Sequence, residues 1–226
     1  MQERFELWFP NVMARQAEFF KAFRDTLAMF GAAGAFVLLF GLFFGLLLIT
    51  SRRGGILENT VVFQILDKTI NVFRSIPFII LLTLLLPLTR LIMGTAIGVK
   101  GAIVPLVIGT TPFFSRQVEA ALSEISGGVI EAAQAIGMGP VGIIFRVYLR
   151  EGIPMLARAA TITAISLIGS TAMAGAVGAG GLGDFAIRYG HNRFMVDVTW
   201  ATVATLVLLV CAVQIIGSLI AKLTTH

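Results

Sequence analysis

Few residues in this 226-residue chain have side chains suited to chemistry. There are two histidines, His191 and His226, and one cysteine, Cys211. His191 stands in the polar run RYGHNR without a second ligand at metal spacing, so a solvated loop residue is expected, not a metal site. Cys211 falls in an apolar run, where a buried, inert thiol is expected, and a lone cysteine builds no disulfide framework. No GxxxxGK[ST] phosphate loop occurs, so ATP binding by this chain itself is not expected. A GxGxxG match does occur at Gly178, Gly180 and Gly183, in AVGAGGLGD. A dinucleotide site would need a strand before it and a ribose-binding acid about 20 residues after it. This match instead ends an uncharged apolar stretch, which points to close backbone approach or to the end of a helix. Catalytic residues, a resident cofactor and a metal are therefore not expected on this chain.

The elements that would position any function are membrane elements. Hydrophobic residues make up 57% of the chain and charged ones 13%, outside the soluble globular range. A bilayer crossing needs about 20 apolar residues. Uncharged gaps run over 26–51, 159–183 and 198–221. Two shorter blocks, 75–89 with Pro77 and Pro87 and 101–115 with Pro105 and Pro112, can cross if their helices extend past a flanking charge. The expectation is an all-α membrane protein with five transmembrane helices, at about 27–50, 69–89, 98–117, 157–181 and 198–221, in a transmembrane domain over 26–222. Residues 1–25 precede it without the pattern of a cleaved signal. There Phe5, Trp8, Phe9 and Val12, then Phe19, Phe20 and Phe23, recur at helical spacing. They read as an interfacial helix broken at Pro10 or as the beginning of the first span.

The net charge of +5 does not imply nucleic acid, because Lys and Arg are spread over every loop. The same spread weakens the positive-inside rule: nine of the 17 basic residues share a side with the C-terminus. The three uncharged gaps hold no ionisable residue, which weighs against a sodium- or proton-coupled amino-acid carrier. That carrier is the alternative reading, since unwound backbone can also bind sodium. Five helices enclose a solute path poorly, so a homodimer is expected, with Gly41/Gly45 and Gly94/Gly98 as small-residue pairs able to pack it.

The segment at about 118–154 is too polar to span and too apolar for a free loop. Val129, Ile130, Ala133 and Ile136 fall on one face of a short helix. Gly137 and Gly139 stop it, and Pro140 suits the first turn of a second helix carrying Ile143, Ile144 and Val147. The order Glu131-Ala132-Ala133, Gly137, Val147 and Leu149 resembles the EAA loop of bacterial ABC importer permeases. It departs from that pattern in having Val147 for Ile and Arg150 for Pro, with Pro154 four residues later. The runs NVFRSIPFIILL (71–82) and GAVGAGGLG (175–183) are similar to the methionine-uptake branch of that family, and the likeness extends over nearly the whole chain from about Thr26.

The resemblance implies the type I importer permease fold and a cytoplasmic coupling loop, in a multi-pass protein of the bacterial cell membrane with the N-terminus outside and the C-terminus inside. It implies a complex of two copies of this chain, two ABC ATPase subunits that carry ATP and Mg, and an extracytoplasmic substrate-binding protein. In such a complex Glu131, Ala132, Ala133, Gly137, Met138 and Gly139 would contact the ATPase. Pro77 and Pro112, where backbone groups are released, and Ser170 and Met173 in the fourth span are the candidates for the translocation path.

Overall fold

The computed structural model describes residues 8–224, and among them every regular element is helical. Phe5 and His226 lie outside the described residues. One turn, α1 (Pro10–Met13), precedes the long helix α2 (Gln16–Ser51). Residues 16–25 are thus the start of the first long helix and form no separate interfacial one. Among the described residues, four helices are long and apolar enough to cross a membrane: α2, Gly98–Ser123, Ile153–Ala179 and Val196–Thr224.

The stretch 69–89 does not form the single helix expected from its hydropathy. Helix α3 (Thr60–Ser75) begins on Asn59, whose side-chain oxygen accepts from the Val61 and Val62 N–H groups at 3.1 Å each. It stops because Pro77 forces its predecessor out of the helical region, leaving Ile76 extended at φ −84°, ψ 122°. Two short helices follow, α4 (Phe78–Leu84) and α5 (Leu86–Met93), with Pro87 in the first turn of the second. Pro105 and Pro112, by contrast, leave α6 (Gly98–Ser123) continuous.

The chain divides into two compact units. The first comprises residues up to Ala35, Pro77–Ile108 and Ala164–Val213; the second comprises Phe36–Ile76, Gly109–Thr163 and Gln214 onward. In the first unit, Met29, Ala33, Leu106, Leu167 and Ala174 form one buried cluster, and Leu182, Phe185, Tyr189 and Val198 another. The second unit is built on Val37, Ile49, Phe114, Val118, Leu122, Ile143, Val147 and Tyr148.

Gly41 and Gly45 are used inside this second core. A Cβ on Gly41 would strike the Phe114 ring, and one on Gly45 would lie 2.5 Å from the Val118 Cβ, so these glycines seat α2 on α6 within the chain. Gly94 and Gly98 are turn residues with φ of +74° and +72° and have no neighbour within 4 Å. The first pair thus packs the chain on itself, whereas the second is open in the single chain. Cys211 is exposed, not buried, because Val196–Thr224 presents most of its surface outward.

Candidate functional site: the coupling segment

The polar insert folds as α7 (Gly127–Ala135), a turn, α8 (Pro140–Ile143), a wide π turn (Ile144–Tyr148) and α9 (Leu149–Glu151), after which α10 (Ile153–Ala174) begins. Its first helix ends in a defined backbone lock. The Met138 N–H donates to the Ala133 carbonyl at 3.0 Å, and the Gly137 N–H donates to the Gln134 carbonyl at 2.9 Å. Gly137 sits at φ +81°, so these two bonds and this conformation make a Schellman turn. The turn's usual hydrophobic contact is present as well, since Met138 packs in the same cluster that buries Ala133. Gly142 makes room for it: a Cβ there would stand 2.8 Å from the Met138 Cγ.

Gly139 is extended and caps α8, with Pro140 in the first turn, where its missing N–H is no loss. No break falls at Arg150. The chain stays helical through it to Glu151, and Gly152 remains in the right-handed region before Pro154 takes its place in the first turn of α10.

The segment has two unlike faces. Inward, Ala133, Ile143, Val147 and Tyr148 are buried in the second unit's core. Burial pushes the Tyr148 hydroxyl pKa up, and the charge of Arg52 pulls it partly back. Outward, Glu131, Ala132, Gly137 and Gly139 are exposed, as are three large apolar side chains: Ile136 at 78%, Val141 at 68% and Phe145 at 64%. Val129 is exposed too, so the expected apolar face splits, with Ala133 and Ile130 turned in and Val129 and Ile136 turned out. Ala133, at 6% exposure, is a packing residue of its own chain and is not open to a partner here, and Met138 is half-buried beside it.

Sequence reasoning missed Val141 and Phe145. Their i, i+4 spacing next to the glycine turn was the available signal. It also missed a charge cluster that ties α3 to α6 in the same unit. The Arg116 guanidinium pairs with Asp67, donates to the Asn71 carboxamide oxygen at 3.2 Å, and meets Glu119 one turn away at 2.6 Å. The i, i+3 spacing of Arg116 and Glu119 is visible in the sequence, whereas the reach to Asp67 is tertiary.

The expected path residues lie in different surroundings. Pro77 is exposed at the break between α3 and α4. Pro112 is buried within α6, and it leaves the Ile108 carbonyl without its helical donor. The Ser170 hydroxyl donates to the Ser166 carbonyl of its own helix at 3.2 Å. Met173 is 53% exposed and shares a face of α10 with Ser166 and Gly169.

The glycine-rich run after α10 contains no strand. Gly175–Ala179 forms a wide turn, Gly178, Gly180 and Gly181 have φ of +98°, +81° and +79°, and α11 (Gly181–Phe185) follows. The Leu182 N–H donates to the Thr26 hydroxyl at 2.8 Å, and a Cβ on Gly183 would strike the Ala172 carbonyl. These glycines serve close packing and helix termination.

Comparison with known proteins accords with these features. The family model of the "binding-protein-dependent transport system inner membrane component" matches residues 38–225. The probable D-methionine transport system permease protein MetI of Vibrio cholerae is 43% identical over 202 residues, covering 89% of this chain and 90% of that one. The methionine import system permease protein MetP of Bacillus subtilis is 42% identical over 219 residues, covering 97% and 98%. A solved structure of the MetNI methionine ABC transporter in an inward-facing conformation superposes with a TM-score of 0.90 at 43% identity, covering 94% of this chain and 99% of that one. An amino-acid ABC transporter shares the fold at 18% identity with a TM-score of 0.77. The chain belongs to the family of binding-protein-dependent transport system inner membrane components.

Proposed function

We propose that this chain is the membrane-spanning permease of an ATP-driven methionine importer. It works as a homodimer with two separate ATPase subunits and receives substrate from an extracytoplasmic binding protein. The observation that carries this reading is the outward face of the coupling segment. Ile136, Val141 and Phe145 stand exposed beside Glu131 and Ala132, on a backbone locked by the Gly137 turn and anchored by buried Ala133, Ile143 and Val147. Large apolar side chains held outward on a rigid polar segment mark a protein contact. The segment is cytoplasmic in this reading, with ATP and Mg on the ATPase that grips it.

ATP-driven closure of the ATPase pair pulls on α7, and the buried side of the segment passes that displacement into the second unit's core. The exposed face of α10 carrying Ser166, Gly169, Ser170 and Met173 lines the path in the homodimer, and Pro77 and Pro112 mark places where helix geometry can change. Methionine as substrate is supported by the names of the relatives at 42–43% identity. The test is uptake of labelled methionine by proteoliposomes holding the complete complex and its binding protein. ATP-dependent methionine uptake, outcompeting other amino acids, is expected. Uptake driven by a sodium or proton gradient without ATP would sink the proposal.

A further inference from the structure

Within the second unit, the start of α10 and the end of the last long helix, which we term α12 (Val196–Thr224), enclose a groove of about 560 Å³. Arg158, Thr161 and Ile162 line one wall and Gln214, Gly217, Ser218, Ala221 and Lys222 the other. Its floor exists because Gly217 has no side chain: a Cβ there would strike the Thr161 hydroxyl, so the two helices meet backbone to side chain at that level. The lining contains two cations and no acid, and among the described residues neither Arg158 nor Lys222 forms an ion pair.

We infer that this groove is a binding site for an anionic phospholipid of the cytoplasmic leaflet, its phosphate held between Arg158 and Lys222 and its acyl chains lying along Ile162, Ile215 and Leu219. Basic pockets between transmembrane helices on the cytoplasmic side suit such headgroups. The vertical order of the lining matches the molecule. Lys222, Ser218 and Gln214 follow one another at i, i+4 steps down one face, so the Gln214 carboxamide stands about 12 Å below Lys222. That is the depth at which a phospholipid held by its phosphate presents ester and acyl groups. The Thr161 and Ser218 hydroxyls already donate to the Ala157 and Ile215 carbonyls of their own helices, at 2.7 and 2.9 Å. Charge-assisted donation to the phosphate therefore falls to Arg158 and Lys222. Ile162 lines the groove, Ile215 and Leu219 flank its Ser218 along the same helix, and all three are about half exposed or more.

A second copy of this chain fits the groove poorly. A two-fold interface brings the same patch against itself, which would face two Arg158 and two Lys222 with no acid in the lining. The leaflet assignment rests on the orientation given under Proposed function.

The test uses the complete transporter, extracted from membranes of phosphatidylcholine with or without phosphatidylglycerol and weighed intact by native mass spectrometry. The wild type is expected to retain one phosphatidylglycerol per permease chain that the Arg158→Gln/Lys222→Gln double variant loses, with phosphatidylcholine retention the same in both. Equal phosphatidylglycerol retention by the two proteins, or displacement of the adduct by inorganic phosphate, would overturn the inference. So would efficient disulfide cross-linking between copies through Ser218→Cys in a Cys211→Ser background. Orientation is read separately by labelling Lys222→Cys, in the same background, in intact spheroplasts with an impermeant maleimide. Labelling from outside would refute the cytoplasmic placement whatever the lipid count, and protection with unchanged lipid loss supports both.

Discussion

Two helix interruptions in this chain look alike in sequence and differ in what their glycines do. In IGMGP the glycine that matters, Gly137, has open space around it: no atom of its surroundings lies within 4 Å of where a Cβ would be. It is required for its backbone alone, at φ +81°. In GAVGAGGLGD Gly178 is open as well, but Gly175, Gly181 and Gly183 are closed in. A Cβ on Gly175 would lie 2.7 Å from both the Asp184 amide nitrogen and the Gly180 carbonyl oxygen, one on Gly181 would lie 2.7 Å from the Thr26 hydroxyl, and one on Gly183 would strike the Ala172 carbonyl. In the function proposed above, the first turn shapes a surface for the ATPase. The second fills the chain's own interior. Exposure agrees, since Gly137 and its neighbour Ile136 are exposed while Gly175, Gly181 and Gly183 are buried.

The largest effect should come from breaking the closed turn. Gly183→Ala drives a methyl group into a backbone carbonyl that cannot rotate away. The expected loss is about 3 kcal/mol, the upper end for overpacking, seen as a fall in folded yield and in Tm of the detergent-solubilised protein. An unchanged Tm would mean that the steric side of the comparison is wrong. Next comes Gly137→Val, which meets no neighbour but puts a β-branched residue in the left-handed region, at roughly 1–2 kcal/mol. The protein should still reach the membrane, while methionine uptake uncouples from ATP hydrolysis because the ends of α7 and α8 shift. Gly137→Asn sharpens the point, since Asn enters that region readily. It should hold stability within about 0.5 kcal/mol of the wild type and retain most of the uptake.

Much of this was legible in the sequence. Uncharged stretches gave three of the long helices their place, since nothing but hydropathy and length is needed there. The IGMGP stop was legible because glycine and proline each act on the backbone locally. The division of 69–89 into separate helices was harder to see: its hydropathy suits a span, and the Pro77 effect on Ile76 competes with that pattern. Ala133 shows the other limit. Its motif position suggested a partner contact, yet one helical step separates it from Ala132, and that step turns one alanine into the core and the other out. Periodicity gave a single apolar face, whereas the segment needs two, one to anchor it and one to offer.

That division of faces sets the smallest effect on this chain's own stability. Phe145 and Val147 lie two residues apart within the wide π turn, the first 64% exposed and the second at 5% in the core. Val147→Ala removes buried methyl groups and should cost on the order of 1–2 kcal/mol of stability. Phe145→Ala removes a larger side chain and should change stability by less than about 0.5 kcal/mol, because that side chain is 64% exposed. Its effect should appear instead in the partner. If the exposed apolar face is the ATPase grip, truncating its largest member should weaken ATPase retention on purification by about tenfold, as for an aromatic anchor at an interface. The informative quantity is the ratio of the two effects. A Phe145→Ala protein that lost stability and kept its ATPase would place the ring in the chain's own packing, and the outward face would then rest on Ile136 and Val141 alone.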